Sequence, residues 1–160
     1  MQEIVLGTES DTEAVQQLYC RAIRDAAWLA ADARTRTDFP SVSQGECVYV
    51  SYAPDGRLEG FVSVYESDRF VHHLYVASEF ARQGVGTALL SFLCTRLPFP
   101  WRLKCVRANT GALAFYTSLG WREVGCGVSE QGDYAVLEVE SMPSADSTRQ
   151  IDRIDAGWRE

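Results

Sequence analysis

Three runs of β-branched and aromatic residues follow one another closely, Cys47–Tyr52, Leu58–Tyr65 and Phe70–Val76. They are joined by Ala53-Pro54-Asp55-Gly56-Arg57 and by a turn at Ser67-Asp68-Arg69, segments too short for a crossover between parallel strands. Proline presets φ and glycine accepts a left-handed backbone, so Pro-Asp-Gly is strong turn chemistry. The spacing predicts an antiparallel meander and excludes an all-helical chain. The third run leads into Gly84-Val85-Gly86-Thr87-Ala88-Leu89-Leu90-Ser91-Phe92-Leu93, whose apolar spacing is helical until Pro98, and Trp101–Val106 reads as a strand again. Strand, helix, strand in that order requires a right-handed crossover and a parallel pair.

The flanks extend this pattern. Ile4-Val5-Leu6 reads as a short strand, and Ser10 or Asp11 caps a first amphipathic helix with Val15, Leu18, Ala22 and Ile23 on its apolar face. Thr35 to Gly45 reads as an irregular segment. Asn109 or Thr110 caps a later helix carrying Ala112, Leu113, Tyr116 and Leu119, with Gly120 just past its end. Trp121–Val124 and Tyr134–Val139 then form a hairpin across a Gly-rich loop. The expected fold class is mixed α/β: a central sheet of about six to seven strands, antiparallel in its N-terminal meander, with a C-terminal βαβ crossover and flanking helices.

The length of 160 residues suits one domain, here read as 1–142 with a polar C-terminal tail over 143–160. A net charge of −7 repels a phosphate backbone and argues against nucleic acid as the partner. The N-terminus shows no basic region followed by an apolar one, and no apolar run is long enough to span a bilayer, so no membrane association and a cytoplasmic location are expected. Five cysteines without a close pair suggest neither a disulfide framework nor a zinc site, and no metal is expected.

Gln83-Gly84-Val85-Gly86-Thr87 lies between strand and helix, where backbone N–H groups can face an anion with no Cβ in the way. No Gly-Lys-Ser or Gly-Lys-Thr follows, and Leu89 occupies the third glycine position of a G-x-G-x-x-G, so neither a P-loop nor a dinucleotide fingerprint is present. What gives the pair meaning is its company: Leu74-Tyr75-Val76 upstream, and Asn109-Thr110-Gly111-Ala112 with Phe115-Tyr116 and Gly120-Trp121 downstream.

Together these segments resemble the GNAT N-acetyltransferase superfamily: L-x-V followed by G-x-G, then N-x-x-A-x-x-F-Y-x-x-x-G-W. The resemblance covers roughly residues 3 to 140 and departs from the family pattern at Ser78 and Ala81. It implies acetyl-CoA as co-substrate, with Leu74 and Val76 beside its acyl and pantetheine portion and Arg82, Gln83, Gly84, Val85, Gly86 and Thr87 around its pyrophosphate. Asn109 would contact the pantetheine arm or cap its helix, and Tyr116 would aim its hydroxyl at the departing sulfur.

An amine attacks a thioester only as the free base, and alkylammonium groups titrate near about 10.4, so a proton acceptor is needed. The two histidines are His72 and His73, and strand alternation places them on opposite faces. GNAT enzymes with a histidine base carry it on this strand at the offset of His72 from Gly84, and those with a glutamate carry that residue at the offset of Phe70. His72 is therefore the expected cleft-facing base. Glu46, Glu66 and Glu79 are lesser candidates for the base and otherwise read as solvated, and Trp28, Phe39 and Tyr65 as aromatics that could shape an amine pocket. The expected reaction is direct acetyl transfer, in a ternary complex, to a primary amine of a small molecule, by a chain that allows a homodimer. The rivals are a non-catalytic acyl-CoA sensor and a protein lysine or N-terminal acetyltransferase.

Overall fold

The runs named above become strands that pair in the order β1-β2-β3-β4-β5-β7-β6, a seven-stranded sheet. The computed structural model describes residues 3–26 and 38–143. Its strands are β1 (Glu3–Leu6), β2 (Cys47–Tyr52), β3 (Leu58–Tyr65), β4 (Phe70–Val76), β5 (Trp101–Val106), β6 (Arg122–Ser129) and β7 (Gly132–Val139). Its helices are α1 (Thr12–Arg24), α2 (Phe39–Val42), α3 (Val85–Leu93) and α4 (Thr110–Ser118). All neighbours are antiparallel except β4 and β5, which run parallel around α3 as the crossover demands.

Register fixes which side of the sheet each helix covers. Tyr49 and Val62 are directly paired, and the Tyr49 ring meets Phe92 of α3 at 5.4 Å between centroids. Val50 pairs with Phe61 on the other face, where Phe61 and Tyr75 meet Phe39 and Tyr19 of the α1–α2 layer. Leu89, Leu90 and Leu93 of α3 are wholly buried. Each is worth roughly 1.5–3 kcal/mol of transfer free energy, which holds α3 across the meander.

Four local readings change. Phe39–Val42, inside the stretch read as irregular, is one helical turn with Pro40 near its start, where a missing N–H matters least. The α3 helix ends at Leu93 and not at Pro98; Thr95 and Arg96 turn back onto Phe92 and Leu93 by short three-residue bonds. The Gly-rich segment after Val124 is the second half of β6, which closes on β7 through Glu130 and Gln131. Its glycines clear room for cross-strand neighbours: a Cβ on Gly127 would come within 2.4 Å of the Tyr134 hydroxyl. The fourth change is in β4 and concerns the site. The tail beyond residue 143 and Trp28 lie outside the described residues.

Candidate active site

The β4–β5 ladder consists of one rung, Phe70 with Arg102, and the strands part beyond it. The chain then turns into α3 with Arg82 at φ 62° and Gly84 at φ 81°, both left-handed. The first helical bond runs from the Ala88 N–H to the Gly84 carbonyl at 2.9 Å, so the amides of Gly84 to Thr87 come before it, at the positive end of the helix. The strands thus part ahead of a helix start, where the positive end of the helix favours an anion. Leu74 is fully buried and Val76 is 9% exposed, at the end of β4 that borders the parting. Gln83 is exposed, its amide bonded to the Glu79 carbonyl, while Val85, Gly86 and Thr87 are buried in the first turn of α3.

Asn109 caps α4: its Oδ1 accepts the Ala112 N–H at 3.2 Å. That is the capping role of the two expected for it. Tyr116 is fully enclosed, its ring against Trp121 at 5.4 Å and its hydroxyl buried.

At the histidines the alternation is broken. Val71 pairs with Val64 and His73 with Ser63, which leaves His72 opposite no residue: a β-bulge. The extra residue resets the pleat, so His73 falls on the same face as His72, with ring centroids 3.9 Å apart. The expectation of opposite faces is therefore overturned. The two still differ in exposure, 35% for the His72 side chain and 7% for His73. His73 is boxed in by Tyr19, Phe39 and Tyr75, while His72 stacks on Tyr65 at 5.8 Å and keeps an open edge. Of the aromatics expected to shape a pocket, Tyr65 thus flanks His72, and Phe39 lies in the core behind His73.

Glu46, read as solvated, is the second correction: its side chain is 0% exposed. It enters from the residue before β2 and accepts hydrogen bonds from His72 Nδ1 at 2.8 Å and from the Ser63 hydroxyl, with His73 Nδ1 3.5 Å away. Burial alone would push this carboxyl up, but the bonds from His72 and Ser63 and the closeness of His73 outweigh it and hold it at about 2. Burial pushes His73 the other way, below the usual imidazole value and toward the neutral form. An ionised Glu46 can only accept, so the proton in its bond to His72 sits on Nδ1, which in the neutral ring leaves the lone pair on Nε2. A buried carboxylate that fixes the tautomer of a partly open histidine is the pairing that equips an imidazole to take a proton.

Residues 5–121 match the family model of the Acetyltransferase (GNAT) family. The chain belongs to that family. The family is, by its description, one of acetyltransferases. A GCN5-related N-acetyltransferase from Rhodopseudomonas palustris shares the fold at a TM-score of 0.70 and 14% identity, over 86% of this chain and 94% of that one. A phosphinothricin acetyltransferase from Sinorhizobium meliloti, solved in complex with AcCoA, gives 0.63 and 19% over 86% of this chain and 87% of that one. The peptidyl-lysine N-acetyltransferase YiaC of Escherichia coli (strain K12) is 38% identical over 72 residues, which are 45% of this chain and 48% of YiaC. The chain thus spans about half the length of the curated relative it matches. Among the described residues no helix is long and apolar enough to cross a membrane.

Proposed function

We propose that the protein transfers the acetyl group of acetyl-CoA to a primary alkylamine by direct attack, with His72 as the proton acceptor and Glu46 as the residue that positions it. The observation that carries this is the 2.8 Å bond between His72 Nδ1 and the buried Glu46 carboxylate, just past the rung where β4 leaves β5. Acetyl-CoA supplies an acyl group already activated as a thioester. The amides of Gly84 to Thr87, with the Arg82 side chain, hold the pyrophosphate by charge and hydrogen bonding. Val76 offers its backbone N–H to the acyl oxygen as charge develops there. His72 Nε2 takes the ammonium proton, directly or through a water, and Tyr116 gives a hydrogen bond to the departing sulfur. Holding amine and acyl group side by side supplies the rest of the rate.

The acceptor we assign is a small-molecule primary amine. A second reading, the side chain of a peptide lysine, is supported by the likeness to YiaC and asks the same of His72, since both acceptors are alkylammonium ions. Thiol release from acetyl-CoA, measured over polyamines, arylalkylamines, amino acids and lysine peptides, tests the proposal and separates the two acceptors. Turnover confined to peptides would move the assignment to lysine. No thiol release with any amine, by protein shown to bind acetyl-CoA, would leave a binding domain and sink the enzymatic mechanism.

A further inference from the structure

Glu46, His72 and His73 bring a carboxylate and two imidazoles together, with donor atoms all within 4.8 Å of one another. We propose that these three side chains form a binding site for a divalent ion of the Zn²⁺ class, and that the bound ion switches acetyl transfer off. The second half of this rests on the reading of His72 as proton acceptor; the first half does not.

The geometry is near what such an ion needs. Metal–nitrogen and metal–oxygen bonds of roughly 2.0–2.2 Å in a tetrahedron put ligand atoms about 3.4 Å apart. His72 Nδ1 stands 2.8 Å from one Glu46 oxygen and His73 Nδ1 3.5 Å from the other, and all the donor atoms lie within 4.8 Å of one another, so the side chains must shift by several tenths of an ångström to share one ion. The His73 Nδ1 atom supplies an independent sign. It is buried, and the acceptor nearest it, a Glu46 oxygen 3.5 Å away, is too distant for a well-formed hydrogen bond. A buried ring nitrogen without a well-formed bond is costly unless something fills the position it points to, and a cation does so.

The surroundings fit as well. Ser63 donates to the Glu46 carboxylate, the kind of outer contact that orients a ligating group. Tyr19, Phe39 and Tyr75 fix the His73 ring. His72, 35% exposed, is the ligand nearest solvent. Two imidazoles and one carboxylate select a borderline transition metal over Mg²⁺ or Ca²⁺, which take oxygen ligands throughout. Occupancy changes His72 in a defined way. The ion takes the Nδ1 lone pair, the single ring proton then sits on Nε2, and Nε2 becomes a donor that can no longer accept a proton from the amine.

The test uses the full chain, stripped with a chelator and titrated with Co²⁺, with Zn²⁺ as competitor. Expected is one equivalent bound, with visible d–d bands of a four-coordinate ion that Zn²⁺ abolishes. Glu46→Gln and His72→Gln should each weaken binding by about 100-fold. His73→Gln should do the same where it folds, and the half-open position of His72 keeps the test valid where it does not. No stoichiometric binding would overturn the site, as would affinity unchanged in both Glu46→Gln and His72→Gln. So would a thiolate-to-cobalt charge-transfer band lost in Cys94→Ser or Cys126→Ser, since both thiols are exposed. For the switch, one equivalent of Zn²⁺ should remove acetyl transfer and a chelator restore it. Full turnover with the ion bound would overturn the switch while leaving the site. A chain with no turnover on any amine would fail the proposed function, and the absorption titration would still decide the site.

Discussion

Gly60 sits opposite Val76 in the β3–β4 ladder, and a Cβ placed on it would come within 2.6 Å of the Tyr75 carbonyl oxygen and 3.2 Å of the Val76 Cα. Both are backbone atoms of the strand that borders the parting, so neither can swing aside and β3 must move away from β4. Overpacking of this kind typically costs about 1–3 kcal/mol, and a backbone obstacle puts Gly60→Ala near the upper end. The gain from a stiffer unfolded chain, roughly 0.5–1 kcal/mol, is the same for any glycine and does not offset it. Gly127→Ala is the internal control. Its Cβ would come even closer, 2.4 Å, but to the hydroxyl of a half-buried Tyr134 that can swing out. The loss there is the contact of Lys104 with the Tyr134 ring at 5.0 Å, worth about 0.5–1 kcal/mol at an exposed position, which the entropic gain nearly cancels. Thermal unfolding should put Gly60→Ala about 4–10 °C below the parent and Gly127→Ala within about 2 °C of it. Equal melting temperatures for the two variants, or the reverse order, would refute the claim that the rigidity of the contacted atom, and not the distance, sets the penalty.

Gly84→Val puts a branched side chain at φ 81° in the turn before α3, and should raise the Kd for acetyl-CoA at least tenfold in calorimetry with far-UV circular dichroism unchanged; undiminished affinity would remove the turn from the binding site. Tyr116→Phe should lower kcat while the KM for acetyl-CoA stays within about twofold, because a donor to the departing sulfur acts in the transition state; an unchanged kcat under rate-limiting chemistry makes it a packing residue. Tyr52 donates to Asp11, and that bond holds the Asp11 carboxyl below its ordinary 3.8, so the stabilisation is present above that value and is lost as pH falls through the lower folded one. Tyr52→Phe should therefore cost about 1 kcal/mol by urea unfolding at pH 7 and progressively less as pH falls below 3.8, and a gap independent of pH would contradict the assignment.

The strands were legible because alternation and turn chemistry are local, and the G-x-G turn and Asn109 were legible because they sit at helix starts, where few residue types serve. His72 and His73 misled because a bulge is decided by how β4 registers against β3, and nothing in Phe70–Val76 itself marks the residue left unpaired. Glu46 was hidden by separation: it lies 26 residues from His72 and reads as an ordinary charge before a strand until the meander folds its carboxylate beneath both rings. The glycines of β6 read as a loop in the sequence because their use, room for Tyr134, depends on a neighbouring strand.

The single rung between β4 and β5 also divides the molecule mechanically. Strands β1 to β4 come from residues 3 to 76 and β5 to β7 from residues 101 to 139, so each side of the seam is a continuous stretch of chain. Three of the six pairings, β2–β3, β3–β4 and β6–β7, are hairpins, which keeps the entropic expense of closing them low. Across the seam the sheet has one rung of its own to resist shear, helped by the bonds from the Arg102 N–H to the Arg69 carbonyl and from the Arg69 guanidinium to the Phe99 carbonyl. A long ligand laid along it works as a splint, so part of its binding free energy goes into stiffening the sheet. Substitutions far from any contact can then alter affinity by changing how far the two sides swing when nothing is bound.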